Sequence, residues 1–159
     1  MQTRHVASFN IGAIRFPLTD PRMAGFVSNL DGINALGDRS PGFVWRRPAT
    51  DDAEFCARVL GNRCTLLNLT VWESVEDLYR FVWRTVHKQF YNRRDEWFVK
   101  AGKPNFVMWW IAPDHIPSIE EAVDKLLLLR TAGESDQCFG WRYAGHDGPW
   151  QPETASNDK

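Results

Sequence analysis

The segment from Leu66 to Ser74 constrains this chain most. Leu67, Leu69 and Val71 alternate with Leu66, Asn68, Thr70 and Trp72, a period of two that suits a strand with two different faces. Ser74-Val-Glu-Asp77 follows at once with the spacing of a helix capping box, Asp standing where Glu is usual. A strand that runs into a helix within two residues is packed by that helix, so the chain must hold a sheet layered against helices.

The rest of the chain repeats this alternation. A strand is expected over residues 6–16, and Asp20-Pro21 offers an N-cap with Pro at the first helical position for a helix that runs to Gly37. Ser40-Pro-Gly42 is a turn, and residues 43–47 read as a strand that Pro48 ends. Residues 49–64 are polar without a clear period and read as a hairpin connection carrying nothing catalytic. The helix opened by Ser74 carries Leu78, Phe81, Val82, Thr85 and Phe90 at helical spacing and is expected to continue through Arg93 and Arg94 to Trp97. Residues 105–111 are apolar on both faces, as in a strand buried on both sides. Ser118-Ile-Glu-Glu121 is a full capping box for a helix that ends at Gly133. Residues 138–143 read as a last strand and residues 145–159 as a loose tail.

The order is therefore β-α-β-β-α-β-α-β, and its first six elements form the split β-α-β arrangement of the ferredoxin-like fold. The expected class is α+β, in one domain over residues 1–144: an antiparallel sheet with helices on one face. The other face then needs a cover. It is expected to carry Trp72 beside Asn68 and Thr70, and one of Trp109 and Trp110, so a partner subunit is the economical cover.

At 159 residues the chain buries roughly 68–70% of its unfolded surface without a staple. Nineteen basic against twenty acidic residues give a formal charge of −1, which lacks the broad basic field that nucleic acid or anionic lipid attracts. No apolar leader opens the sequence and no run of eighteen apolar residues occurs, so a cytoplasmic protein is expected. Cys56, Cys64 and Cys138 have no C-x-x-C spacing, which argues against a thiolate metal site or a disulfide framework. Aromatic residues make up 13% of a chain whose mean hydropathy is only −0.41. Such a quantity of ring surface points to a lined cavity, an interface, or both.

Leu69-Thr-Val-Trp-Glu-Ser74, within this element order, resembles the dimeric α+β barrel superfamily, in which two ferredoxin-like subunits pack their sheets face to face. A closer resemblance, over residues 5–140, is to the family catalogued as domain of unknown function 3291. It rests on Leu18 to Pro21 with Met23, Ser40-Pro-Gly-Phe-Val-Trp-Arg46, Thr70-Val-Trp-Glu-Ser74, Phe81-Val-Trp83 with His87, Arg94-Asp-Glu-Trp-Phe98, and Trp109-Trp110 with His115-Ile-Pro117. The superfamily implies a homodimer and a shortlist of cofactor-free monooxygenases, haem-degrading monooxygenases, chlorite dismutases and small cyclases or isomerases. Its haem-degrading branch uses a strand-one Asn with a Trp and a His on helix two. This chain has Asn10, Trp83 and His87 in comparable elements, but its Trp-to-His step of four residues is shorter than that branch uses.

On one unbroken helix, Trp83, His87, Tyr91 and Arg94 would share a face. A His among rings and an Arg suits proton transfer, and equally an axial haem ligand. The bland alternative is a core or capping His held by a backbone carbonyl. Arg46 and Arg47 end a strand on opposite faces, so only one of them can hold an oxyanion in a given pocket. Asn10, Asn68 and Thr70 are small polar groups within apolar strands, placed to bind a substrate oxygen or to form a structural network. Trp72, Trp83, Tyr91 and Trp110 would be walls. His115, in the turn before the last helix, reads as local loop structure. Zincin, P-loop, dinucleotide-fold and hydrolase-elbow motifs are absent, and no metal is expected. The expected function is a cofactor-independent monooxygenase or an isomerase/cyclase. His87, Arg94 and Asn10 would be its catalytic residues, acting on a hydrophobic aromatic or polyketide-like substrate. The alternatives are a haem protein with His87 as ligand, and a non-catalytic binding module.

Overall fold

The computed structural model describes residues 3–48, 52–61, 66–85 and 87–146. Four antiparallel strands, β1 (His5–Gly12), β2 (Phe43–Arg46), β3 (Leu66–Trp72) and β4 (Phe106–Ile111), form one sheet in the order β2-β3-β1-β4. The helices among the described residues are α1 (Ala24–Asp38), α2 (Ala53–Leu60), α3 (Val75–Arg84), α4 (His87–Asn92), α5 (Arg94–Trp97) and α6 (Ile119–Ala132). A single 3-10 turn, Pro21–Met23, leads into α1, with Asp20 accepting the Arg22 N–H. The chain is α+β, as its pattern predicts.

Register assigns the faces, because directly opposed residues point the same way. Asn10 stands opposite Asn68 and Phe106, Ser8 opposite Thr70 and Met108, and Val6 opposite Trp72 and Trp110. This first face packs on Val75, Leu78 and Phe81 of α3 and on Ile33 and Leu36 of α1. The second face presents Ala7, Phe9, Ile11, Leu69, Val71, Val107 and Trp109, and shares a core with Cys56 and Leu60 of α2 and Ala122, Val123 and Leu126 of α6. The chain therefore layers its own helices on both faces. Trp72 lies under α3 and Trp109 under α6, so the need for a cover is met within the subunit.

Four element expectations are corrected. The first strand ends at Gly12, where Phe98 crosses so closely that a Cβ would stand 2.9 Å from its ring. Residues 49–64 contain the helix α2, whose Cys56 and Leu60 are one turn apart and buried. Its two turns give too few periods to read from sequence, and Gly61, at φ 66°, stops it in the left-handed region.

The expected helix over residues 74–97 is three helices. Thr85, backbone extended, donates its hydroxyl to the Phe81 carbonyl at 2.5 Å and accepts the His87 N–H at 3.2 Å. One side chain thus ends α3 and opens α4, a competition with the helical ladder to which Thr is prone. The expected last strand is reduced to isolated bridges: Cys138 pairs with Ser135, and Phe139 and Met108 exchange backbone bonds of 2.8 and 2.9 Å. Glu134 then takes the Gly140 N–H at 2.8 Å and the chain turns. Of the expected tail, residues 147–159 lie outside the described residues.

Candidate functional site

The break at Thr85 redistributes the four residues expected on one helix face. Trp83 is on α3, His87 and Tyr91 are on α4, and Arg94 opens α5. Trp83 and Tyr91 still meet edge to face at 4.9 Å, and the Arg94 guanidinium lies 4.0 Å over the Tyr91 ring while donating to the Tyr91 carbonyl at 3.0 Å. His87 turns to a different neighbour, the Phe81 ring, at 5.1 Å. A carbonyl can only accept, so the 3.2 Å contact between His87 Nδ1 and the Val82 oxygen places the ring proton on Nδ1 and leaves Nε2 with its lone pair.

Asn10 is exposed although it sits on a central strand beneath a helical layer. The layer is therefore open above it. Its cross-strand neighbour Asn68 accepts from Arg46 Nη1 at 2.7 Å, while Arg46 Nε donates to Asp38 at 3.1 Å. The Arg46 side chain is only 17% exposed, so its charge is held in place and partly desolvated. Arg47 takes no part: it pairs with Asp52 at 2.8 Å. Thr70 is buried and accepts the Trp72 indole N–H at 3.1 Å. Trp72 itself is enclosed between Phe43 and Phe81, at 5.3 and 5.4 Å. Trp110 is four residues along β1 from the Asn10 row, about 13 Å away. It lies under Arg4 at 4.2 Å and lines a separate open cleft with Pro113.

Contacts lead from Asn10 in two directions to the α3–α4 junction. One passes through Asn68 and Arg46 to Gly37, where a Cβ would stand 3.0 Å from Arg46 and 3.1 Å from Phe81, and then to His87. The other passes through Phe106, which stacks on Trp141 at 5.3 Å, and on to Trp83 at 6.3 Å and Tyr91. The indole N–H of Trp83 is buried without an acceptor among the described residues.

Burial pushes the His87 imidazole below its ordinary value. The Val82 hydrogen bond opposes that shift and the nearby Arg46 charge adds to it. Neutral imidazole is favoured because removing a cation from water costs more than one hydrogen bond returns, and a like charge adds to the cost. Burial raises the Tyr91 phenol. A neutral imidazole beside Phe81 and a guanidinium held by Asn68 and Asp38 thus lie on either side of the Gly37–Phe81 contact.

The model of a family described as a domain of unknown function, DUF3291, matches residues 5–154. The chain belongs to the DUF3291 family. No curated protein and no solved structure matches it.

In this DUF3291 chain, sequence reasoning missed Phe81 as the partner of His87, Asp38 and Gly37 beside Arg46, and Phe106 and Trp141 as one wall. Phe81 was visible as an apolar stripe residue, but nothing in its spacing distinguished it from Leu78. Trp141 carries no local signal, because its contacts depend on the turn that replaces the expected strand. Among the described residues, no three His, Cys, Asp or Glu side chains are grouped to hold a metal, and no helix is long and apolar enough to cross a membrane.

Proposed function

We propose that this DUF3291 protein is a small-molecule enzyme working without a tightly bound cofactor. It removes a proton from an acidic C–H or O–H of a hydrophobic aromatic or polyketide-like substrate. One observation carries the proposal: a solvent-open Asn10 on a central strand, with Arg46 locked to its neighbour Asn68 and a neutral His87 held beside Phe81. His87 Nε2 accepts the proton, and Arg46 with Asn10 stabilises the enolate or phenolate oxygen on which the electron pair is left. Trp83, Tyr91, Phe106 and Trp141 wall the apolar body, and Arg94 fixes Tyr91. Oxygenation by dioxygen and isomerisation or cyclisation can both start from that anion.

The sheet order β2-β3-β1-β4 supports a ferredoxin-like subunit. Pairing two sheets as in a dimeric barrel would use the face that α2 and α6 occupy. The cavity in this proposal is therefore inside one subunit, on the side of α1 and α3.

The test is turnover of a panel of hydroxylated aromatic ketones, followed by mass spectrometry. His87→Ala should lose about 10²–10⁴-fold while remaining folded at the assay temperature, and full turnover in that variant removes the role. The free Nε2 also suits an axial haem ligand whose Nδ1–H is fixed by a carbonyl. A saturable Soret band at one haem per chain, absent in His87→Ala, would favour that second reading.

A further inference from the structure

Asp77, Arg80, Phe81 and Arg84 lie at steps of three and four on α3 and, with Thr85 just past its end, face the Ser40-Pro41 turn. Between α3 and the turn lies an open cleft of about 260 Å³. Asp77, Arg80 and Arg84 are among its lining residues, and most of the lining surface is apolar. Asp77 is already committed: it accepts the Ser74 hydroxyl at 2.7 Å and meets Arg80 at 3.2 Å. That Arg80 pair is exposed, with side chains 59% and 18% accessible, and such pairs hold weakly. Arg84 forms no ion pair among the described residues. The lining therefore keeps an unspent positive charge beside an apolar ring.

Two of the lining residues also hold the proposed base. Phe81 packs on the His87 ring at 5.1 Å, and the Thr85 hydroxyl accepts the His87 N–H at 3.2 Å. A ligand seated in the cleft would touch the two side chains that position His87.

We infer that this cleft is an anion subsite that takes the carboxylate or phosphate of a small organic acid whose apolar body rests on Phe81. Arg84 and Arg80 supply charge-assisted hydrogen bonds. The cleft is smaller than the roughly 300–1,000 Å³ of sites for drug-sized ligands, so one ring with one acidic group fills it. The inference deepens the proposed function by naming an acidic substrate, and rests on that reading only for what His87 then does to the ligand.

Binding tests it without turnover. Benzoate, phenyl phosphate and the neutral benzyl alcohol are titrated into the full chain, and the backbone amides of Arg80, Thr85 and His87 are followed by NMR. Saturable shifts are expected for the acids, with a dissociation constant at least tenfold larger in Arg84→Gln and in high salt. The preferred acid identifies the group recognised. Equal binding of benzyl alcohol, no saturation by about 10 mM acid, or unchanged affinity in Arg84→Gln would overturn the subsite. If the acids bind as expected while His87→Ala keeps full turnover, the subsite stands and the catalytic reading fails. Loss of turnover in His87→Ala without acid binding gives the opposite result.

Discussion

Arg46 and Asn68 are joined at 2.7 Å between the edge strand β2 and its neighbour β3, one row from the pair that Asn68 makes with Asn10. The bond does more than tie two strands. It orients a half-buried guanidinium over the sheet and adds its charge to the field that keeps His87 neutral.

Arg46→Met should therefore have two effects. Stability should fall by about 1–2 kcal/mol, since a charged hydrogen bond to Asn68 and a partly exposed pair with Asp38 are lost. The His87 pKa should rise, because the variant removes a like charge. Urea unfolding and an NMR titration of the His87 ring measure the two separately. A His87 pKa that stays put would show that Arg46 does not act on it.

Stability should also depend on pH through His87. Burial depresses its folded pKa below the ordinary 6.5, so below that value the unfolded chain binds a proton that the folded chain refuses. Stability then falls as pH drops from about 7 toward the folded pKa, by linkage. His87→Phe should flatten this slope relative to the parent between pH 7.5 and 5.5, in matched urea titrations. Parallel slopes for the two proteins would contradict the depressed pKa.

Gly42 should tolerate no side chain. Its φ is +82°, and a Cβ there would stand 2.2 Å from the Asp77 carboxylate that sits at the α3 cap. Gly42→Ala should cost more than about 2 kcal/mol, since left-handed strain and a hard overlap add. Gly32, in α1 with open space around its Cα, should instead gain about 0.5–1 kcal/mol as Ala. Thermal melts of the two variants should move in opposite directions.

The α6 capping box has an added role. Glu121, whose own N–H is held by the Ser118 hydroxyl at 3.1 Å, accepts the Trp109 indole N–H at 2.9 Å and contacts His115 at 2.7 Å. Trp109 is 1% exposed. Glu121→Ala strands a buried donor and should cost about 1–3 kcal/mol, seen as a lower urea midpoint. Ser118→Ala should cost about 1 kcal/mol.

Most elements were legible because their signals are local. The alternation in β3, the Ser74 and Ser118 boxes and the Asp20-Pro21 start all act within a few residues, and each element formed where its signal stands. The misses have non-local or short-range competing causes. Thr85 broke the long helix with one hydroxyl, which apolar periodicity cannot reveal. α2 is too short for a period, and the last strand yielded to the Glu134 contact with Gly140.

The candidate site divided the same way. Register placed Asn10 beside Asn68 once the strands were known, and the polar residues in apolar strands were visible in advance. The partnership of Arg46 with Asn68, across 22 residues, and of His87 with Phe81 depended on packing that no spacing encodes. Trp72, singled out as a wall, is enclosed in the core beside Phe81.

Deuterium exchange tests the central claim most directly. Enolisable aromatic ketones are incubated with the protein in D2O, and incorporation at the acidic carbon is followed by NMR, with His87→Ala, Arg46→Met and Asn10→Ala beside the parent. The expected result is exchange by the parent, a loss of about 10²–10⁴-fold in His87→Ala, and smaller losses in the other two. Equal exchange by the parent and His87→Ala, with both proteins folded, would contradict proton transfer at this site.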